Sequence, residues 1–339
     1  MDLIGLTRLF REGRVIGPLG PLVAKRAMLT RKSLVLWTGD SVLKLRRPRL
    51  VDGFDQERVS TRYGMTARER WFGRQVSPEV YLGDCVLQLV FDDSPEGAHI
   101  RLVAGLVEGE PVVAMRALPE GHRADLWLAE RWIEPPHFFP VVSALIRGHL
   151  AQDAHRQPPF GSPDRPSQRL AELVSRVPDA LWPDKQAFVA DTTSRIDHAQ
   201  QTLAHRVMEG RVRELHGEPS LDHVFLDLEG DGPEGRAAIL DPHDGLDGDR
   251  TFDVADDLFA LTIPLEMIVG RSFADLVVDR YASLATDHTL RKVAIIFRRL
   301  AALRLVVQSL NEAEDPDEPD EAAAMRATAV LEHLRSNPD

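Results

Sequence analysis

At 339 residues the chain has room for two domains or one two-lobed enzyme, and ample length to bury a core. Its formal charge of -12 argues against a general nucleic-acid binder; seven acidic residues fall in Glu312–Glu321 alone, leaving the rest only mildly acidic. The single cysteine, Cys85, excludes an intrachain disulfide and argues against a cysteine-based zinc site; its apolar neighbours mark a core thiol.

In chain order, Leu3, Leu6, Leu9 and Phe10 share one helical face and predict a short helix packed on the body. Arg8, Arg11, Glu12 and Arg14 break any signal-peptide core, and no apolar run approaches the length of a membrane span, so a cytoplasmic protein without membrane contact is expected. Two Gly-Pro pairs punctuate Gly17 to Pro21. Leu34–Trp37 and Ser41–Leu45, joined by Thr38-Gly39-Asp40, predict a hairpin. Lys44 stands inside its second strand, an expensive place for an ammonium without a partner. The helical stretch Gln56–Gln75 carries Glu69. A strand lysine paired with a glutamate on the next helix is how kinases hold nucleotide phosphates; the alternative is a lysine whose stem snorkels to a wet edge. Cys85–Phe91, His99–Glu108 and Pro111–Met115 predict further strands.

From Pro119 the texture turns helical, near Pro140–Asp153, Gln168–Val174 and Lys185–Met208, and again from Asp253 to Leu310. Two short strands, Val224–Leu228 and Ala237–Leu240, interrupt the helices. The pattern reads as α+β with two lobes: an antiparallel sheet with one helix, then a mainly helical lobe. Expected divisions are an extension over residues 1–28, a nucleotide-binding lobe over 29–118, a catalytic lobe over 119–310, a disordered acidic linker over 311–321 and a helical tail over 322–339. Clefts between lobes are common ligand positions.

The polar groups beside the two short strands are His216-Gly217-Glu218, Asp222-His223, Asp241 and Asp253-Val254-Ala255-Asp256-Asp257. Hard oxygen ligands on rigid strand ends, with a base nearby, are how metal and phosphate sites are built. The bland alternative is that acidic residues suit turns. Asp227–Gly232 hints at a calcium loop, but Ala238 stands where a bidentate Glu belongs, so a hairpin turn is the better reading.

Taken together, these residues resemble the aminoglycoside phosphotransferase-like kinases, in particular the branch found alone or fused to an ATP-binding P-loop domain, over about Leu29 to Leu310. The carriers are the hairpin Ser33–Pro48 with Lys44, Glu69 ahead of Ser77-Pro78-Glu79-Val80-Tyr81, the loop Arg213–Val224, Ile239-Leu240-Asp241, and Asp253-Val254-Ala255. The resemblance implies that Lys44 contacts the phosphates of ATP, that Glu69 positions Lys44, and that the backbone of Met115 to Leu118 holds the adenine. It also implies a catalytic loop of His216 and Glu218, with Asp241 and His223 at magnesium.

Several departures bear on that chemistry. Glu218 replaces the family's aspartate and moves the carboxylate out by about 1.5 Å, where a misplacement near 1 Å costs roughly a hundredfold in rate. His223 replaces an asparagine; imidazole suits manganese better than magnesium, and the ring alternatively just hydrogen-bonds the loop. No glycine-rich lid precedes Lys44, leaving Thr30 and Ser33 as candidate phosphate donors, and no P-loop motif is present. The expected function is ATP-dependent phosphoryl transfer to a hydroxyl of a small molecule. The alternative is a pseudokinase-like nucleotide-binding or scaffold protein acting through a protein partner.

Overall fold

Alternation along two strands decides the first half of the molecule. In Ser33-Leu-Val-Leu-Trp and Ser41-Val-Leu-Lys-Leu-Arg, side chains point to opposite sheet faces in turn. Leu34, Leu36, Leu43 and Leu45 enter a core with Leu6 and Phe10, while Lys44 and Arg46 take the other face. The computed structural model describes residues 3–51, 54–91, 98–105, 107–130, 133–217, 219–228, 236–243, 250–314 and 320–337. It divides into two units, Met1–Glu120 and Gly121–Asp339.

The first unit opens with α1 (Leu3–Arg11), β1 (Val15–Gly17), β2 (Gly20–Leu22), β3 (Arg26–Leu29), β4 (Ser33–Trp37) and β5 (Ser41–Arg46). The short pair β6 (Leu50–Val51) and β7 (Phe54–Asp55) leads into α2 (Val59–Val76), then β8 (Tyr81–Phe91), β9 (Ala98–Ala104) and β10 (Glu110–Arg116). Eight strands form one sheet in the order β2-β1-β9-β8-β10-β5-β4-β3, antiparallel throughout except where β1 meets β9. The first 28 residues therefore supply strands of the sheet as well as α1, whose Leu6 and Phe10 are almost fully buried. Burying each such side chain contributes about 1.5–3 kcal/mol. Cys85 sits half-buried against this core, and burial pushes its thiol up to about 11.

The second unit runs through α3 (Ala124–Glu130), α4 (Phe139–Leu150), α5 (Arg165–Ser175), α6 (Lys185–Met208), β11 (Val212–Glu214), β12 (Val224–Leu228), β13 (Arg236–Ile239) and β14 (Thr251–Asp253). It closes with α7 (Ala255–Val269), α8 (Arg271–Leu284), α9 (Leu290–Ala313) and α10 (Glu321–Ser336). Strands β12 and β13 pair antiparallel, as do β11 and β14, a pairing the sequence pattern did not signal. The loop of the calcium and hairpin readings lies largely outside the described residues. Helix α7 is buried on nearly every side, with Leu258, Leu261 and Leu265 in the core. The acidic segment is ordered at both ends: Glu312 lies in α9, Asp320 caps α10, and Arg326 bonds both carboxylates. Among the described residues, no helix is long and apolar enough to cross a membrane.

A buried arginine ties these helices to the strands. Arg206 of α6 donates to both oxygens of Asp253 at 2.7 Å, and to Asp287 and the Thr289 hydroxyl at 2.7 and 2.9 Å. Asp253 also accepts the Ala255 amide at 2.9 Å, opening α7. It is thus a structural anchor and no part of the strand-end group with which the sequence placed it. Breaking a buried pair leaves an uncompensated charge and costs about 3–5 kcal/mol. Arg206→Met is accordingly expected to lower the unfolding free energy by about that amount, read as the shift in urea midpoint at unchanged m-value.

Candidate functional site

In the first unit, the lysine strand and the glutamate helix meet. Lys44 Nζ lies 3.1 Å from Glu69 Oε1. Arg46, two residues along the same strand face, donates to Glu69 Oε2. All three side chains are buried, at 8%, 1% and 0% exposure. Two close approaches set the helix that carries Glu69. A Cβ at Gly73 would run into the Tyr81 ring, so only glycine lets α2 come this near β8. At the other end Arg62 makes a two-pronged bond to Glu110 of β10, at 2.5 and 2.7 Å.

Met115 is buried at the end of β10, and Leu118 follows half-buried. Between them, the Arg116 and Ala117 amides already donate to Val80 O and Asp40 O, at 2.9 and 2.8 Å. The expectation that Thr30 and Ser33 present hydroxyls to phosphates does not hold. The Thr30 hydroxyl is bonded to the Ser33 amide and carbonyl, both at 3.0 Å, and Ser33 is fully buried.

In the second unit, a carboxylate clamps the loop after β11. Asp257, in the first turn of α7, accepts the His216 amide at 2.7 Å and the Gly217 amide at 2.9 Å. Burial works to raise this carboxyl, but the hydrogen bond from His149, 3.1 Å away, and nearby positive charge outweigh it and hold the group below the usual carboxylate range. The His243 amide donates to His216 O at 2.8 Å. Gly217 has φ +88°, and a Cβ there would lie 2.7 Å from that of His243, so the position requires glycine. Arg250 braces the same turn, donating to Glu214 at 2.6 and 2.8 Å and to His243 O at 2.6 Å.

Glu218, the expected base, lies outside the described residues. The His216 ring is fully buried and pushed down to about 4 by burial, so it stays neutral and sealed from solvent.

Asp241 and His223 are brought together at the ends of β13 and β12. Their side chains are each 40% exposed, with His223 Nε2 3.9 Å from Asp241 Oδ2. Asp241 has φ +57°, a left-handed conformation costly for a non-glycine residue. Ser220 Oγ donates to Asp222 at 2.6 Å and lies 3.1 Å from His223 Nδ1. Since the hydroxyl proton goes to the carboxylate, Nδ1 is the donor to Ser220. Nε2 then faces the Asp241 carboxylate, an arrangement that a bound cation would stabilise. Among the described residues, no group of three or more His, Cys, Asp or Glu side chains is set to hold a metal ion.

No family model matches the sequence, and no curated protein matches it. Among solved structures, a choline/ethanolamine kinase family protein from Mesorhizobium loti superposes on 99% of this chain and 94% of its own with a TM-score of 0.53, at 13% identity. The fold is kinase-like. An aminoglycoside phosphotransferase from Streptomyces rimosus covers 89% of this chain and 98% of its own, at 16% identity and a TM-score of 0.47. The kinase-like fold confirms the expected class, a sheet-rich unit followed by a mainly helical one.

Three parts of this arrangement escaped sequence reasoning. Arg46 shares Glu69 with Lys44, which the i, i+2 spacing of two cations on one strand would have signalled. Asp257 stood in a quoted acidic run without a role, and its place in the first turn of a helix was the available clue. His149 carried no signal.

The neutral His216 has a consequence for stability. Its folded-state value, about 4, lies below the ordinary 6.5, so the unfolded chain takes up a proton that the folded protein refuses. This contribution is complete above pH 6.5 and is lost as the pH falls toward 4, by about 3 kcal/mol. Unfolding free energies between pH 7 and 4 should fall less steeply in His216→Asn than in the parent.

Proposed function

We propose that the protein is an ATP-dependent phosphotransferase that transfers the γ-phosphate to a hydroxyl of a small molecule. The observation that carries the reading is the buried Lys44–Glu69 pair. Taking two ions out of water costs several kcal/mol each, and apolar packing of the same volume is often at least as stable. A lysine held this way in a kinase-like fold is accounted for by a phosphate ligand. Glu69 orients the ammonium and Arg46 adds a second positive charge to the same carboxylate, so the cluster is biased toward anions.

The second unit, taken by itself, carries groups suited to the same chemistry. Asp241 and His223 fit a divalent cation as two protein ligands, an oxygen and a nitrogen, and the nitrogen favours manganese over magnesium. Such an ion would neutralise phosphate oxygens and supply part of the transition-state stabilisation. Glu218 accepts or orients the proton of the acceptor hydroxyl. The clamp on His216 and Gly217 fixes the backbone leading into Glu218, as positional accuracy demands. The segment Met115 to Leu118 borders the adenine.

ADP release from ATP, measured over a panel of small alcohols and amino sugars with magnesium or manganese, tests this. Lys44→Ala is expected to lower turnover roughly 10²–10³-fold, Asp241→Ala to abolish it, and Glu218→Asp to retain or raise it. Turnover that survives Asp241→Ala overturns the proposal.

A further inference from the structure

Arg165, in the first turn of α5, carries a charge that its surroundings do not answer. Its guanidinium carbon lies 5.9 Å from the ring centres of both Phe160 and Phe252. Among the described residues its side chain makes no hydrogen bond and no ion pair, and Nε is buried without an acceptor. The residue is only half-buried, which leaves its terminal nitrogens within reach of a ligand. Other arginines packed into this unit are met by carboxylates: Arg206 by Asp253 and Asp287, Arg250 by Glu214, Arg299 by Asp191 and Arg304 by Asp256.

The chain is folded to hold it there. The His155 amide donates to Val212 O of β11 at 2.9 Å, which pins the loop before α5 to the β11–β14 pair. In that pair Arg213 stands opposite Phe252, and Phe252 meets Phe297 of α9 edge-on, with ring centres 5.8 Å apart. Within the loop the Gly161 amide turns back to Gln157 O at 2.9 Å, and Phe160 packs against the His155 ring, centres 5.4 Å apart.

Neighbouring charges do not neutralise the site. Arg169, one turn on along α5, places a second guanidinium 5.7 Å from the centre of Phe252. Glu172 lies 3.3 Å from Arg169, and Asp256 is paired with Arg304 at 3.2 Å. Burial, and then the charge of Arg169, lower the pKa of Arg165, with Glu172 acting the other way. A guanidinium stays ionised through such a shift, so Arg165 remains a partly desolvated cation. Aromatic faces stabilise a cation only in part, because they give its N–H donors no strong acceptor. An oxyanion supplies both the charge and the acceptors, in the two-pronged geometry that suits a guanidinium.

We propose that Arg165, backed by Arg169 and walled by Phe160 and Phe252, binds an oxyanion, the carboxylate or phosphate group of a small molecule. The site lies wholly in the second unit and does not rest on the phosphotransferase reading.

The test titrates the full chain with inorganic phosphate, with succinate and, at matched ionic strength, with sodium chloride. NMR of ¹⁵N-labelled protein reads the Arg165 Nε–H and the backbone amides, and thermal unfolding is followed in parallel. Phosphate or succinate should shift the Arg165 Nε–H and the Phe160 and Arg169 amides saturably, whereas chloride should not; the tighter binder names the ligand class. Arg165→Gln should weaken binding roughly ten- to a hundredfold, the span of a hydrogen bond to a charged group. Arg165→Lys, which keeps the charge and loses the planar fork, should fall between the two. Without ligand, Arg165→Gln should be at least as stable as the parent, and the anion should raise the melting temperature of the parent alone. A purely structural cation–π brace gives the reverse, a lower melting temperature in ligand-free Arg165→Gln and no response of the parent to either oxyanion, and overturns the proposal. Shifts of the Phe160 and Arg169 amides that survive Arg165→Gln overturn it too, as does phosphate that moves only amides around Lys44, a result that would favour the phosphotransferase reading and not this site.

Discussion

The Asp257 carboxylate, buried in the first turn of α7, accepts the amides of His216 and Gly217 and the imidazole of His149. Two of these donors belong to a loop with no helix or strand to fix it, so the carboxylate serves as that loop's secondary structure. The negative charge also sits near the helix N-terminus, where the backbone dipole favours it. The turn at His243, bonded to His216 O and braced by Arg250, depends on the same clamp. Asp241 and His223 can meet because β12 and β13 pair in the register Val224 to Ile239, which places their flanking residues side by side.

Buried charge is organised differently in the two units. Around Arg206, one guanidinium satisfies two carboxylates and a hydroxyl, an arrangement closed to any ligand and suited to holding α6, β14 and the turn before α9. Around Glu69, one carboxylate serves two cations, Lys44 and Arg46. The first cluster is an anchor. The second gathers two cations on one buried carboxylate, and that contrast separates a structural network from a candidate binding site.

Much of this was legible because the signals are local. Alternation exposed the hairpin and left Lys44 as the one expensive residue in it, and the period of Leu3, Leu6, Leu9 and Phe10 gave α1. The pairing of Lys44 with Glu69 follows from a strand and helix adjacent in sequence. What stayed hidden depends on distant segments. His149 meets Asp257 across 108 residues and Tyr281 across 132, and no spacing rule links such positions. Asp253 misled because an aspartate at a strand end looks the same whether it faces a metal or a buried arginine. The burial of His216 was hidden similarly, because burial is a tertiary property. The β11–β14 pair was missed because three-residue strands carry too little pattern.

The central claim is that Lys44 holds the phosphates of a bound ATP. Thermal unfolding with saturating ATP, without metal, with magnesium and with manganese, tests it most directly, because a ligand at a hundredfold its Kd stabilises the native state by about 2.7 kcal/mol. The account predicts stabilisation that requires the metal, is larger with manganese, and disappears in both Lys44→Ala and Asp241→Ala. An absence of any shift, or a shift that survives both substitutions, would contradict it.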